Sequence, residues 1–297
     1  MRKHTFIISF LSYLKHERRF STHTIMAYEN DLESFSQFLQ QELGELNYSK
    51  VTHKHVRAWI VVLMNHDIVA KSINRKISTL RSFYKFLLSR KEIESNPLTK
   101  VVGLKTPSRL PKFVDEKDIQ KLFSEISYPD GFEGARDKLI MDLFYNTGIR
   151  LSELVNLKDA SIDHHSANLK VLGKGNKERI IPLHNTLLQD VKNYQELRQN
   201  RFDSTYESFF LTDNGKTMYH KFVYRKVKFY LSLVTTSEKK SPHVLRHSFA
   251  THLMNHGAEL NAVKELLGHA SLAATQVYTH NTIQKLKDVH KQAHPKS

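Results

Sequence analysis

Hydrophobic positions recur at helical spacing along the first third of the chain. In the segment THTIMAYENDLESFSQFLQ, one apolar face is formed by Ile25, Tyr28, Leu32, Phe35 and Leu39. Thr22 or Thr24 can cap the start of this helix through its hydroxyl group. The apolar run FIISFLSYL, a segment that starts near Thr52 and the segment AKSINRKISTLRSFYKFLLSR predict further amphipathic helices. We therefore expect a helical domain over residues 1–100.

The segment SNPLTKVVGLKTPSRLPK breaks this helical pattern. It holds three prolines and one glycine. Proline cannot continue a helix, and the residue before a proline favours an extended backbone. The composition predicts an interdomain linker over residues 101–112. Its basic residues, Lys105 among them, suit a path along a nucleic-acid backbone.

The remainder of the chain mixes helices with a short hairpin. The segment GARDKLIMDLFYNTGIR predicts a buried helix that ends at Thr147 and Gly148. In NLKVLGKGNKERIIPL, two apolar strands flank a turn rich in glycine and asparagine, which predicts a β-hairpin. Further helices are expected at 185–198, 216–233, 242–255, 260–267 and 281–290. The predicted fold class is mainly α, with a small antiparallel β-sheet in a C-terminal domain over residues 113–297.

Composition adds a strong positive charge. The 297 residues carry a formal net charge of +15 and include no cysteine. This balance favours a polyanionic partner, either nucleic acid or an anionic membrane surface. The N-terminal apolar run is far shorter than the roughly 20 residues that a membrane span needs, and charged residues follow it at once. Without cysteine there are no disulfides or thiolate sites, so we expect a cytoplasmic protein without membrane association.

One predicted helix carries charges of nearly one sign. Its basic residues are Lys71, Arg75, Lys76, Arg81 and Lys85. A charged helix face is usually only solvated, but like charges along one helix also suit a phosphate backbone. We treat these residues, together with Lys105, as candidate DNA contacts.

Several polar residues stand where they could do chemistry. Arg150 follows a glycine-terminated helix, so its planar fork can project into a cleft and Glu153 can orient it. Lys174 lies between two glycines at the predicted hairpin tip. His243 and Arg246 are three residues apart on one predicted helix, on a face other than its apolar stripe. Taken singly, each is more simply a salt bridge or a solvated surface residue.

The stretch LLGHASLAATQVYTH adds His269 and Tyr278 to this set. A tyrosine, with a pKa of roughly 10, is a poor nucleophile unless phosphate chemistry and nearby cations help it. Together, two arginines, one lysine, two histidines and one tyrosine suit metal-free cleavage of a phosphodiester. Guanidinium groups neutralise the developing charge, the lysine or a histidine protonates the departing oxygen, and the tyrosine attacks.

The 18 histidines raise the alternative of a metal site. His243 and His247 are four residues apart, as are His252 and His256, and that spacing can hold a metal on a helix. No glutamate lies beside them as in a metalloprotease motif. We therefore expect neither a metal nor another cofactor.

These residues lie in motifs that resemble those of the tyrosine recombinases, most of all the bacterial Xer type. STHTIMAYENDLESFSQFL resembles the N-terminal core-binding segment of that family. The catalytic motifs follow in the family's order as TGIRLSELVNL, GKGNKERIIPL, SPHVLRHSFATHL and LLGHASLAATQVYTH. The resemblance covers essentially the whole chain and leaves no catalytic position substituted. A lone GKG is a weak signal, whereas five motifs in the right order are very specific.

The resemblance implies a two-domain C-clamp around duplex DNA. Its catalytic set corresponds to Arg150, Lys174, His243, Arg246, His269 and Tyr278, with Glu153 in support. The tyrosine would attack the scissile phosphate and form a 3′-phosphotyrosyl link, releasing a 5′-hydroxyl that attacks a partner duplex. Because the bond energy is conserved, neither ATP nor a metal would be needed.

The resemblance also implies a role for each catalytic side chain. Arg150, Arg246 and His269 would hold the nonbridging oxygens of the phosphate. Lys174 would be the general acid, and His243 would help with proton transfer or orientation.

The implied partners are duplex DNA with a specific recombination site and further recombinase protomers. Four protomers would synapse two sites, as a homo-tetramer or a hetero-tetramer with a second recombinase, and a last helix at 282–290 would pack on a neighbour. A DNA translocase is a further candidate partner. The expected task is resolution of chromosome dimers at a dif-like site in the nucleoid.

Three other functions fit parts of this pattern. An integrase or invertase of a mobile element has the same chemistry but a different site. A type IB topoisomerase shares the chemistry without a specific site. A non-catalytic DNA-binding protein explains the basic charge but leaves the cationic set near Tyr278 without a purpose.

Overall fold

The protein is described by a computed structural model that divides into two compact units. The units are Met1–Arg109 and Leu110–Ser297. The structure describes residues 2–44, 46–106, 113–173, 178–202 and 206–268. Within these residues, no helix is both long and apolar enough to cross a membrane. The helix predicted at 281–290 lies outside them.

The first unit is helical, as its periodicity predicts. Its α-helices are α1 (Arg2–His16), α2 (Thr22–Leu43), α3 (His53–Asn65) and α4 (Ala70–Ser89). Their apolar faces meet in one core, in which Phe35, Trp59 and Phe83 are fully buried. Edge-to-face packing of Phe35 on Trp59, with ring centroids 4.9 Å apart, is the arrangement that aromatic quadrupoles favour.

The start of α2 differs from the sequence prediction. Ser21, not Thr22 or Thr24, is the N-cap, and its hydroxyl accepts a hydrogen bond from the backbone N–H of Thr24 at 3.3 Å. Ser21 has the extended backbone that an N-cap needs, with φ −66° and ψ 149°. Thr22 is already the first helical residue, so the predicted caps were one to three residues too late.

The chain after α4 packs back onto the first unit. Val101 is buried in that unit's core, and its carbonyl accepts a hydrogen bond of 2.6 Å from Arg81. The Asn74 side chain donates to the Leu104 carbonyl at 2.9 Å and accepts from the Leu104 N–H at 2.8 Å. The first residues of the predicted 101–112 linker are therefore fastened along α4.

The second unit is mainly helical and carries a small sheet. Its helices are α5 (Glu116–Ser124), α6 (Phe132–Thr147), α7 (Leu151–Val155), α8 (Asn185–Arg201), α9 (His220–Val234), α10 (Pro242–Asn255) and α11 (Leu260–Leu267). The sequence did not predict α5. It placed the start of α9 at residue 216, but Thr217 instead forms an antiparallel bridge with Leu211.

The sheet has three antiparallel strands in the order β1-β2-β3. They are β1 (Ile162–Asp163), β2 (Asn168–Leu172) and β3 (Glu178–Pro182). The predicted hairpin is the β2–β3 pair, in which Leu169 faces Ile181 and Val171 faces Arg179. The short strand β1 was not predicted.

Helix α6 lies at the centre of the second unit. It is buried along most of its length and packs against α8, α9 and α10. A helix that is buried on all sides needs no separate polar face. Its packing also fixes the position of its C-terminal end. That end leads directly to Arg150.

Candidate active site

A tight turn at the end of α6 positions Arg150. Gly148 has a left-handed backbone with φ 58°, and a Cβ there would lie 2.6 Å from side-chain atoms of both Phe249 and Leu267. A residue with a side chain would be strained and would push α10 and α11 away. Glycine thus lets Arg150 become the N-cap of α7 directly beside these two helices.

Glu153 holds Arg150 in place. Its Oε2 accepts from the Arg150 backbone N–H at 2.8 Å, and its Oε1 accepts from Arg150 Nη1 at 2.7 Å. A glutamate in the third position of a helix commonly reaches back to the N-cap in this way. The structure therefore brings together the predicted pair of Arg150 and Glu153.

A third member, Arg179, was missed by the sequence reasoning. It lies on β3, is 4% exposed, and forms a two-pronged ion pair with Glu153, with both N–O distances 2.8 Å. The sequence carried a signal for it. Residues two apart on a strand share a face, so Arg179 lies on the inward face with Ile181 and requires a buried partner.

Glu153 is ionised because its arginine partners outweigh its burial. Burial acts to raise the pKa of the Glu153 carboxyl group, but the hydrogen bonds and charge of Arg179, with hydrogen bonds from Arg150, lower this pKa to about 2. The carboxylate is therefore negative throughout the neutral range and neutralises one of the cations around it.

Arg246 is buried, unlike the surface residue that its helical position suggested. It is 6% exposed on α10 and donates to the carbonyls of Gly148 and, at 2.7 Å, of Leu267. Burial first, and then the positive charges of Arg150 and Arg179, lower the pKa of Arg246 to about 9, so it stays charged at neutral pH. His243, one turn earlier on the same helix, is exposed.

The three arginines converge on the end of α11. Arg179 Nε donates to the carbonyl of Leu266 at 2.9 Å, Arg246 donates to that of Leu267, and Arg150 donates to that of Gly268 at 3.0 Å. The last carbonyls of a helix have no partners within it and carry a partial negative charge, which attracts cations. We call Arg150, Glu153, Arg179 and Arg246 the arginine cluster.

The arginine cluster is suited to an anion. It gathers three guanidinium groups, and Glu153 is the one carboxylate that binds any of them among the described residues. The excess positive charge in a buried setting favours a phosphate, whose oxygens match guanidinium forks.

The structure does not describe three of the predicted catalytic residues. Lys174, His269 and Tyr278 lie outside the described residues. The arginine cluster nevertheless holds the carbonyl of Gly268, the residue that directly precedes His269 in the sequence.

Some of the candidate DNA contacts bind groups of the protein itself. Arg75 and Lys76 pair with Asp31, which is 1% exposed; Arg75 Nη2 lies 2.8 Å and Lys76 Nζ 3.1 Å from its Oδ1. The side chain of Arg81 donates a hydrogen bond to the carbonyl of Val101. Lys76 is partly buried, whereas the other five candidates are exposed, namely Lys71, Arg75, Arg81, Lys85 and Lys105.

The part of the chain that the structure describes contains no group of three or more histidine, aspartate or glutamate side chains that could hold a metal ion. One histidine from each of the two pairs shows how their surroundings differ. His252 is buried and hydrogen-bonds Tyr145 at 3.1 Å, whereas His243 is exposed.

Comparison with known families assigns both units. Residues 112–285 match the Phage integrase family, and residues 7–91 match the Phage integrase, N-terminal SAM-like domain. These matches cover most of the chain and follow its division into a helical unit and a mixed unit.

Curated relatives align over nearly the whole chain. A protein named Tyrosine recombinase XerC from Chlorobaculum parvum is 39% identical over 312 residues, covering 96% of this chain and 93% of its own length. Another of the same name from Staphylococcus carnosus is 38% identical over 289 residues, covering 97% of each chain.

Solved structures share the fold. The XerH site-specific recombinase, bound to palindromic difH substrate in a post-cleavage complex, aligns with a TM-score of 0.71 at 20% identity, covering 93% of this chain and 82% of its own. The Tn1549 transposon integrase in complex with transposon right end DNA aligns with a TM-score of 0.68 at 20% identity, covering 95% of this chain and 98% of its own.

The matches of both units and of the full-length relatives assign the chain to the recombinase class. The chain belongs to the phage integrase family and is a tyrosine recombinase, an enzyme of site-specific DNA recombination.

Proposed function

We propose that this recombinase cuts and rejoins duplex DNA through a 3′-phosphotyrosyl intermediate on Tyr278 and a Holliday junction. The observation that carries the proposal is the arginine cluster. Arg150 and Arg246 are already gathered at one point, and they reach the end of the helix that leads into the segment with His269 and Tyr278.

The proposed reaction assigns a task to each group. Arg150, Arg246 and His269 hold the nonbridging oxygens and neutralise the charge that develops on phosphorus, which is the largest contribution that such sites usually make. The Tyr278 oxygen forms the new bond to phosphorus as the bond to the 5′ oxygen breaks. Lys174 protonates that departing oxygen, and His243 assists proton transfer or orientation.

The proposed domain organisation follows the same division of labour. Residues 1–100 form a core-binding domain on DNA, 101–112 form the linker, and 113–297 form the catalytic domain with a C-terminal helix exchanged between protomers. On DNA the enzyme acts as a tetramer, alone or with a second recombinase. A DNA translocase activates it, and it acts at the nucleoid in the cytoplasm.

The biological task we propose is resolution of chromosome dimers at a dif-like site. Its support is the 37–39% identity to several proteins named Tyrosine recombinase XerC, spread over nearly the full length of the chain. An integrase or invertase of a mobile element is the alternative with the same chemistry.

A nicked suicide duplex tests the chemistry. A strand nicked near the cleavage position loses a short fragment after attack, so the covalent protein–DNA complex accumulates and is seen on a denaturing gel. We expect this complex with the wild-type protein and none with Tyr278→Phe, since only the phenol oxygen is removed. Thr279→Val, which removes the neighbouring hydroxyl, is the matched control and should keep activity. A complex formed by Tyr278→Phe would show that another residue is the nucleophile.

Mapping covalent cleavage sites across the host genome tests the biological task. A single site on the chromosome, away from mobile elements, supports dimer resolution. Sites at the ends of a mobile or invertible segment would replace it with the integrase or invertase alternative.

A further inference from the structure

Arg179 is a buried charge to which the proposed reaction gives no task. It lies on β3 with 4% of its surface exposed, and its guanidinium group is directed at Glu153 and the end of α11. Taking a guanidinium group out of water is costly unless its hydrogen bonds are satisfied with good geometry. Three of its N–H groups are satisfied within the arginine cluster, two by Glu153 and one by the carbonyl of Leu266.

In one direction, Arg179 sets the position of Arg150. It binds both oxygens of Glu153 at 2.8 Å, which fixes the plane of that carboxylate. The same two oxygens also accept hydrogen bonds from the backbone N–H and the Nη1 of Arg150. The orientation of Arg150 is therefore relayed through Glu153 from Arg179.

In the other direction, Arg179 holds the end of α11. Its Nε donates to the carbonyl of Leu266, and a Cβ on Gly268 would lie 3.0 Å from its Cδ. The Arg179 side chain thus packs closely against the backbone at the residue before His269. One side chain joins the two parts of the chain that carry the proposed oxyanion-binding groups.

We propose that Arg179 is a positioning residue for DNA cleavage. It acts by fixing Glu153, and through it Arg150, against the end of α11. This inference rests on the proposed function and deepens it. A lysine cannot replace Arg179, because a single ammonium group cannot bind both carboxylate oxygens side by side and also donate to a carbonyl in a third direction.

Comparison of Arg179→Lys with Arg136→Lys tests the positioning role. Arg136 is also fully buried in the second unit and pairs with Asp137 and Asp213, but it makes none of the contacts of the arginine cluster. Both variants keep a positive charge in a buried ion pair. A general loss of stability therefore affects both, whereas a positioning role is specific to Arg179.

The readout separates DNA binding from chemistry. At saturating protein on the nicked suicide duplex, we expect Arg179→Lys to form the Tyr278 complex about 100-fold more slowly than wild type, as a small misplacement of a catalytic group can cause. We expect its DNA dissociation constant to stay within about threefold of wild type, because the guanidinium group of Arg179 binds Glu153 and the Leu266 carbonyl. We expect Arg136→Lys to cleave within about threefold of wild type after correction for the folded fraction.

A second pair of variants tests the relay and covers the case in which Arg179→Lys does not fold. Glu153→Asp keeps the charge but withdraws the carboxylate by one methylene, and we expect a similar loss of cleavage rate. Combined with Arg179→Lys, it should cost much less than the product of the two single losses, because both variants break one relay.

The outcomes distinguish this inference from the proposed function. If the wild-type protein forms no Tyr278-dependent complex, the proposed function and this inference both fail. If wild type cleaves and Arg179→Lys or Glu153→Asp cleaves equally fast, the positioning role alone is overturned. Equal losses in Arg179→Lys and Arg136→Lys, or a loss confined to DNA affinity, would overturn it as well.

Discussion

At the scale of single residues, Glu153 is the point on which the arginine cluster depends. It is 6% exposed and receives hydrogen bonds from both Arg150 and Arg179. Breaking a buried ion pair by removing one partner typically costs about 3–5 kcal/mol, since the remaining charges stay buried without compensation. The stability of the second unit should therefore depend on the charge of this one carboxylate.

The pKa of Glu153 makes this dependence measurable. Its folded value of about 2 lies below its ordinary 4.5. A group whose folded pKa is lowered contributes its stability fully above the unfolded pKa and loses it as the pH falls through the folded pKa. The shift corresponds to about 3 kcal/mol. We expect Glu153→Gln to lower the free energy of unfolding at pH 7, and the gap to wild type to shrink as the pH falls from 4.5 towards 2.

Urea unfolding followed by circular dichroism at a series of pH values measures this gap. Glu178→Gln is the matched control, because Glu178 pairs with Lys170 on the surface, where 57% of its side chain is exposed. An exposed pair contributes little at any pH. A gap between Glu153→Gln and wild type that stays constant down to a pH of about 2 would contradict the assigned role of the carboxylate.

At the scale of elements, α4 serves as the support along which the chain leaves the first unit. The Asn74 side chain makes two hydrogen bonds to the backbone of Leu104 and so satisfies both polar groups of one residue outside regular structure. Gly103 lies close to the same side chain, since a Cβ there would be 2.9 Å from Asn74 Oδ1. This fastening holds the segment by side-chain contacts rather than by a helix or strand.

Removing the Asn74 amide should release that segment while leaving α4 folded. We expect Asn74→Ala to speed hydrogen exchange at the Leu104 amide by roughly 10-fold or more, since each hydrogen bond removed is worth about 1 kcal/mol. The amides of Ile77 and Leu80, inside α4, should keep their protection. Ser78→Ala is the control, because its hydroxyl hydrogen-bonds the Asn74 carbonyl within α4. Unchanged exchange at Leu104 in Asn74→Ala would show that other contacts hold the segment.

The elements that the sequence predicted well are those with long amphipathic patterns or clear stop signals. Helices α10 and α11 begin and end at the predicted residues, Pro242–Asn255 and Leu260–Leu267. The hairpin followed from glycine and asparagine between apolar strands. The two-residue strand β1 is too short to produce a hydrophobic pattern. The later start of α9 was missed because Leu211 and Thr217 form an isolated bridge, which leaves no run of alternating residues in the sequence.

The candidate site was only partly predictable because its contacts are distant in sequence. The pairing of Arg150 with Glu153 is local and could be anticipated from helix capping. The burial of Arg246 could not, because α10 packs against α6, α9 and α11, so a residue off its apolar stripe still lies inside. Arg179 is 26 residues from Glu153, and no local pattern links a strand residue to a partner at that distance.

At the scale of the whole molecule, the 45 lysines and arginines overstate the number of cations available to a polyanion. Two of them, Arg75 and Lys76, pair with the buried carboxylate of Asp31, although the Arg75 side chain is 48% exposed. Lys76 is also only 14% exposed and lies over the ring of Trp59. By contrast, Lys71 and Lys85 are exposed on the same helix. Position on a basic helix therefore does not by itself identify a phosphate contact.

The salt dependence of DNA binding should separate these two kinds of lysine. Each neutralised phosphate releases counterions, so the slope of log K against log salt becomes shallower by roughly 0.9 for every phosphate that a variant leaves without a cation. We expect Lys71→Ala and Lys85→Ala each to reduce the slope by about one, measured by fluorescence anisotropy in a series of KCl concentrations. Lys76→Met should leave the slope unchanged and lower the free energy of unfolding, because that lysine is held by Asp31 and packs on Trp59. Equal reductions of slope in Lys76→Met and Lys71→Ala would mean that the ion pair with Asp31 opens on DNA, and that the buried carboxylate holds the cation only until a phosphate replaces it.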